Sequence, residues 1–96
     1  ALEWANDNIR VNALCPGVVL TENVKQNLML DENTAKTFED YIPMGGITNS
    51  EKMAQQVLYL CSPAADVITG DMLIADGGQW LVGNAFYQMG EKFLDE

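Results

Sequence analysis

The chain has 96 residues, of which 48% are hydrophobic, 14 are acidic and 5 are basic, so its formal net charge is −9. This length suits one small domain with a limited core, and the negative charge disfavours binding to nucleic acid or to an anionic membrane surface. The apolar stretches are far shorter than the ~18 residues that cross a bilayer, so we expect neither a nucleic-acid nor a membrane partner.

The first two elements are predicted from helix formers and from a period-two pattern. Residues 1–5, Ala-Leu-Glu-Trp-Ala, resemble the end of a helix that is already under way, because they lack an N-cap and are followed by Asn-Asp-Asn. We therefore expect the chain to continue a longer protein. Residues 9–14 alternate apolar and other side chains and are rich in β-branched residues, which predicts a strand.

Three helices are predicted next. Two short, weakly amphipathic ones, at 21–30 and 31–41, lie in an acidic segment that we expect to bury few apolar side chains. A proline and two glycines break the pattern, and the T-x-x-E capping box of Thr48 and Glu51 then predicts a third helix at 50–61. Its apolar face is formed by Met53, Ala54, Val57, Leu58 and Cys61.

A short strand and a tail complete the predicted elements. Residues 72–75, Met-Leu-Ile-Ala, have the continuous apolar character of a parallel strand that is buried on both faces. The order strand, helices, strand predicts an α/β fold. The tail, residues 82–96, has apolar residues at helical spacing, namely Val82, Ala85, Phe86, Met89 and Phe93.

Metal and redox chemistry have little support in the composition. The chain contains no histidine, and its cysteines, Cys15 and Cys61, have the spacing of neither a zinc site nor a C-x-x-C pair. We predict no metal site and interpret both cysteines as reduced core residues. This interpretation favours an intracellular location, cytoplasmic or, in a eukaryote, peroxisomal or mitochondrial.

The loop after the first strand is the expected ligand site, because ligands of open α/β sheets bind beyond the carboxyl ends of strands. There Pro16 fixes φ and ends the strand, Gly17 lets a ligand approach the backbone, and the Thr21 hydroxyl can hold a phosphate or an amide. The alternative is that Pro-Gly simply ends a strand and that Thr21 caps the next helix.

The residues around the second strand are interpreted as structural. Gly70 and the Asp76-Gly77-Gly78 sequence have the composition of turns, and Asp71 and Asp76 flank a strand that holds them at opposite ends. A catalytic carboxylate pair is therefore not predicted. The two tryptophans are interpreted as packing anchors.

Taken in order, these stretches resemble the C-terminal portion of the short-chain dehydrogenase/reductase family. Residues 9–21 are similar to its sixth strand and cofactor loop, with an N-x-x-x-P-G-x-x-x-T pattern at Asn12, Pro16, Gly17 and Thr21. Residues 1–5 resemble the end of the preceding helix, residues 51–70 the late helix and turn, and residues 72–78 the last strand and its turn.

This resemblance implies an α/β fold, with residues 1–96 as the C-terminal part of one Rossmann-type doubly wound parallel sheet, containing its last two strands plus helices. It implies an NAD(P)-dependent oxidoreductase that uses NAD or NADP, acts on a small-molecule substrate and forms a homo-oligomer. The implied cofactor-binding residues are Pro16 and Gly17 against the nicotinamide ring, a backbone group near Val19 at its carboxamide, and Thr21 at the carboxamide or pyrophosphate. Residues 22–46 correspond to the substrate lid.

The resemblance also implies that the family's glycine-rich phosphate loop, catalytic serine and Tyr-x-x-x-Lys pair precede residue 1. The three tyrosines of the chain are followed, four residues later, by Gly45, Pro63 and Glu91, so no catalytic residue is assigned. Residues 1–5 and 62–70 are most similar to the sequences of reductases that act on enoyl- or dienoyl-CoA thioesters. Sugar-alcohol and ketone reductases share much of the same sequence. A truncated, non-catalytic interaction module is the other interpretation.

Overall fold

The computed structural model describes residues 1–27 and 32–83. Two described strands, β1 (Ala13–Pro16) and β2 (Met72–Ala75), pair in parallel, with Ala13 opposite Met72 and Pro16 opposite Ala75. The described helices are α1 (Glu22–Asn27), α2 (Glu32–Tyr41), α3 (Ser50–Cys61) and α4 (Gln79–Val82), with 3₁₀ turns at Ala5–Asp7 and Pro63–Ala65. In these two ranges, no helix is long and apolar enough to cross a membrane. Beyond Gly83, the predicted tail lies outside the described residues.

Strand β1 begins four residues later than the predicted strand at 9–14. Before it, the amide of Gly70 donates to the carbonyl of Val11 at 2.8 Å. The side chain of Asn12 adds two bonds: Nδ2 donates to the carbonyl of Ile68 at 3.0 Å, and Oδ1 accepts from the amide of Asp71 at 3.0 Å. Regular strand pairing starts only at Ala13, whose amide donates to the carbonyl of Asp71 at 2.9 Å. The predicted helix end at residues 1–5 is also replaced, by a turn that leads into the first 3₁₀ segment.

Helix α3 has the predicted bounds but a different cap. Its first turn is closed by Asn49, whose Oδ1 accepts from the amide of Lys52 at 2.9 Å, so the capping box predicted at Thr48 and Glu51 is wrong. Asparagine is among the strongest N-cap residues, and here it lies one position closer to the helix. The backbone of Thr48 is used elsewhere, in a parallel bridge to Val19.

Two of the three buried apolar side chains of the described residues lie in or beside α2, and the third, Ala65, lies in the second 3₁₀ turn. Phe38 is 1% exposed, and Ile42, just past the end of α2, is 4% exposed. The described residues of the 22–46 segment bury only these two side chains, as expected in number, but helix α3 buries none, so the segment is the better packed of the two. Burying a side chain of this size contributes about 2–3 kcal/mol. The residues that pack on Phe38 are Val18, Val24, Ala35, Tyr41 and Ile47.

Several apolar positions are more exposed than their patterns predict. Met72 and Ile74 are 65% and 45% exposed, so β2 is covered on one face rather than two. A short two-stranded sheet with one packed helix can bury only one side of each strand. Other positions that were predicted to lie in the core are also exposed, because no described segment packs over them. They are Trp4, Val57, Leu58, Cys61 and Trp80.

Candidate functional site

The 16–21 loop leaves β1 without disturbing the strand pair. The amide of Gly17 donates to the carbonyl of Ala75 at 3.3 Å, so this backbone group faces β2. Successive residues of a strand direct their backbone groups to opposite edges, and the nitrogen of Pro16 therefore faces away from β2. A proline at this position ends β1 at no cost to the strand pair, and its ring is exposed.

Gly17 is required by a close contact between two turns. A Cβ added there would lie 2.8 Å from the Cβ and 3.0 Å from the Cα of Asp76. Any side chain at this position would thus separate the turn after β1 from the turn after β2. The direct structural reason for this glycine is packing against Asp76.

Val19 lies at the centre of the loop in an extended segment that is paired on one edge. The amide of Thr48 donates to the carbonyl of Val18 at 3.2 Å, and the amide of Leu20 donates to the carbonyl of Thr48 at 2.8 Å. In this parallel bridge the backbone N–H and C=O of Val19 itself point to the opposite edge. The loop therefore presents one donor and one acceptor side by side, away from Thr48.

Thr21 ends the loop and caps α1. Its Oγ1 accepts from the amide of Val24 at 3.2 Å, and its carbonyl accepts from the amide of Lys25 at 2.9 Å. The capping interpretation is therefore confirmed. A hydroxyl that accepts one hydrogen bond still carries a hydrogen to donate, so capping and ligand binding are compatible at this exposed side chain.

The turn after β2 is built by Asp76, Gly77 and Gly78, as predicted. The two carboxylate oxygens of Asp76 accept from the amides of Gly78 at 2.9 Å and Trp80 at 2.8 Å, and the glycines have φ values of 67° and 92°. The carbonyl of Gly77 accepts from the amide of Met44 at 3.0 Å, and this bond connects the end of the 22–46 segment to the turn after β2. Sequence reasoning missed this link, since no local pattern joins the two segments.

A groove of about 810 Å³ lies beside the loop, between the Ile42–Thr48 connection, α3 and the carboxyl end of β2. Gly17 lines it, whereas the other three predicted site residues do not. The predicted site is therefore divided: Gly17 faces the turn after β2, and the Val19 backbone faces the opposite edge of the loop. We call this the free edge, because no backbone group of residues 1–27 or 32–83 bonds to it. Among the residues that line the groove, the charged ones are Lys52 and Asp76.

The loop offers neutral hydrogen-bonding groups rather than charges. In the part of the chain that the structure describes, no cluster of three or more His, Cys, Asp or Glu side chains could hold a metal ion. The nearby ion pair of Lys25 and Glu22, 3.6 Å apart on α1, is exposed and contributes little. A backbone N–H, a backbone C=O and a hydroxyl are suited to an amide or a phosphate oxygen.

The described residues form a parallel strand pair with a loop at the carboxyl end of its first strand, which is where ligands bind in Rossmann-type α/β domains. Residues 1–79 match the family model described as enoyl-(acyl carrier protein) reductase. The chain is 42% identical over 86 residues to a tropinone reductase homologue of Arabidopsis thaliana, covering 90% of this chain and 32% of that protein. It is 40% identical over 81 residues to the peroxisomal 2,4-dienoyl-CoA reductase of Pongo abelii, covering 84% and 28%.

Solved structures agree with these relatives. One is a protein from Agrobacterium tumefaciens described as a 2-deoxy-d-gluconate 3-dehydrogenase with bound NADP, at 38% identity and a TM-score of 0.75, covering 83% of this chain and 32% of that one. Another, 4-hydroxyisoleucine dehydrogenase complexed with NADH, has 28% identity and a TM-score of 0.77, covering 88% and 34%. The chain belongs to the short-chain dehydrogenase/reductase family, and it spans about a third of the length of these relatives. The resemblance and the Rossmann-type α/β fold expected from the sequence are confirmed.

Proposed function

We propose that the chain forms the C-terminal part of an NAD(P)-dependent oxidoreductase. In this proposal the 16–21 loop holds the nicotinamide end of the cofactor, and residues 22–46 cover the substrate. Family relatives with bound NADP and NADH support this cofactor class. When bound, the cofactor supplies or accepts the hydride, and the residues of this chain hold and orient it.

The observation that carries the proposal is the free edge at Val19. A carboxamide is planar and presents an N–H donor beside a C=O acceptor, and one extended residue offers the complementary pair. The bridge to Thr48 fixes the direction of that pair before any ligand arrives. Such preorganisation lowers the ordering cost of binding.

The other three residues have supporting parts in this proposal. Pro16 places an exposed, rigid apolar ring at the end of β1, where a flat aromatic ligand can pack. Gly17 keeps the loop close to Asp76 and thereby fixes its exit from the sheet. Thr21 donates its hydroxyl hydrogen to the carboxamide or the pyrophosphate while it caps α1.

The proposed substrate is a small molecule with a carbonyl or an enoyl group. The matched family model is described as an enoyl-(acyl carrier protein) reductase, and the similar proteins include a dienoyl-CoA reductase and tropinone reductase homologues. We also propose an intracellular location and a homo-oligomer that uses the tail. Of that tail, the described part includes Val82, which is exposed and apolar.

The test begins with the reading frame upstream of residue 1, where the proposal requires a glycine-rich phosphate loop and a Tyr-x-x-x-Lys pair. The complete protein should quench or shift NADH or NADPH fluorescence and turn over one member of a panel of ketones, sugar alcohols and enoyl-CoA thioesters. The isolated 96 residues are the control, and they should show no turnover because no lysine follows a tyrosine by four positions. A complete protein that lacks the pair and binds neither nucleotide would instead be a non-catalytic interaction module.

A further inference from the structure

Phe38 connects the 22–46 segment to the 16–21 loop. It lies on α2, is 1% exposed, and packs against Val18, the residue directly before Val19. The same side chain packs against Ile47, which directly precedes the Thr48 bridge. The ring of Phe38 therefore packs on both segments of the Val19–Thr48 bridge, which orients the Val19 backbone.

Backbone hydrogen bonds also connect the end of the 22–46 segment to the loop and to the turn after β2. Thr48 is bonded to Val18 and Leu20, and Met44 is bonded to Gly77 in the turn after β2. These bonds fix where the 22–46 segment ends, but they contact neither α2 nor its neighbour α1. Apolar packing, in which Phe38 is the most buried member, holds α2 against the loop.

We propose that Phe38 is a positioning residue that couples α2 to the 16–21 loop, so that a nicotinamide cofactor bound at the loop also restricts α2. This inference rests on the proposed function. A cofactor that engages the Val19 backbone restricts residues 18–20, and the packed Phe38 transmits this restriction to α2. Because such coupling is reciprocal, an ordered α2 also favours cofactor binding.

The size of Phe38 is essential to this role. Leucine at this position would remain apolar but would leave part of the space between Val18, Ile47 and α2 unfilled. Contacts across such a gap weaken steeply with distance, so α2 could move without moving the loop. Val18→Ala opens the same contact from the opposite side, and it serves as a second variant if Phe38→Leu does not fold.

The experiment follows amide hydrogen exchange of the complete enzyme with and without saturating NADH or NADPH. In the wild type, the cofactor should slow exchange at residues 32–41 by about fivefold or more, the lower end of ordinary coupling between sites. In Phe38→Leu and in Val18→Ala, residues 18–20 should still be protected by the cofactor, whereas its effect at 32–41 should be lost. Leu60→Ala, which removes a half-buried apolar side chain from α3, is the control for a general loss of stability and should keep the effect.

Two results would overturn the inference in different ways. If the cofactor protects residues 32–41 equally in the wild type, in Phe38→Leu and in Val18→Ala, Phe38 only fills the core. If the wild-type enzyme binds neither NADH nor NADPH, the proposed function fails first, and the inference fails with it.

Discussion

Thr21 has two roles that mutagenesis can separate, because it caps α1 and is also proposed to hold the cofactor. Thr21→Val removes both the capping acceptor and the hydroxyl donor. Thr21→Asp keeps an excellent capping acceptor but lacks the donor and adds a negative charge. Thr21→Ser keeps both functions and is the matched control.

The magnitudes follow from the surroundings of the hydroxyl. The cap bond to Val24 is 3.2 Å long and exposed, so its loss should lower the free energy of unfolding by about 0.5–1 kcal/mol, at the low end for N-caps. Loss of one hydrogen bond to the cofactor costs about 1 kcal/mol, which raises Kd about fivefold. Thr21→Asp should raise Kd further, because a carboxylate also repels the pyrophosphate.

The assay pairs urea unfolding with fluorescence titration of NADH or NADPH into the complete enzyme. We expect Thr21→Val to lose stability and affinity, Thr21→Asp to lose affinity alone, and Thr21→Ser to resemble the wild type. An unchanged cofactor Kd in Thr21→Asp would refute the reasoning. Thr21 would then be a helix cap and no part of the cofactor site.

Two further predictions concern the turns that hold the loop in place. Gly77→Ala should lower the free energy of unfolding by about 2 kcal/mol or more, because φ is +67° and the new Cβ would lie 2.7 Å from Cγ2 of Ile42. Gly45→Ala, with φ +73° and no atom within 4 Å, should cost only about 1 kcal/mol in the same urea experiment; equal losses would contradict the clash. Asn12→Ala should cost about 2 kcal/mol through its two bonds to Ile68 and Asp71, and Asn33→Ala, at an exposed position, should lie within about 0.5 kcal/mol of the wild type. Thermal unfolding with no difference between these two asparagine variants would show that the Asn12 bonds are replaced by water.

The sequence predicted those elements whose signals are local. Helix α3 and strand β2 have the predicted bounds, because each has a continuous pattern with a polar or glycine-containing break at both ends. The turn at Asp76 was predictable for the same reason, since an acid followed by two glycines specifies its own geometry.

The errors occur where a partner lies far away in the chain. The alternation of residues 9–12 indicated backbone pairing, yet side chains, above all that of Asn12, make most of the bonds from this stretch to residues 68–71. The burial of Phe38 depends on Val18, which belongs to another segment, so the weak local pattern of α2 underestimated it. The free edge of Val19 likewise depends on Thr48, about 29 residues later, and no short window contains both.

The bridge between Val19 and Thr48 also has a consequence for the order of folding. Strands β1 and β2 must meet across about 59 residues, and the entropy lost on closing a loop grows with the logarithm of its length. The Val19–Thr48 bridge closes a loop about half as long, so the free-energy cost of loop closure is about 0.6 kcal/mol lower. Once the bridge has formed, shorter lengths of chain separate β1 from β2. We therefore expect the bridge to form before the strand pair, so that the segment carrying Val19 is already oriented when the sheet closes.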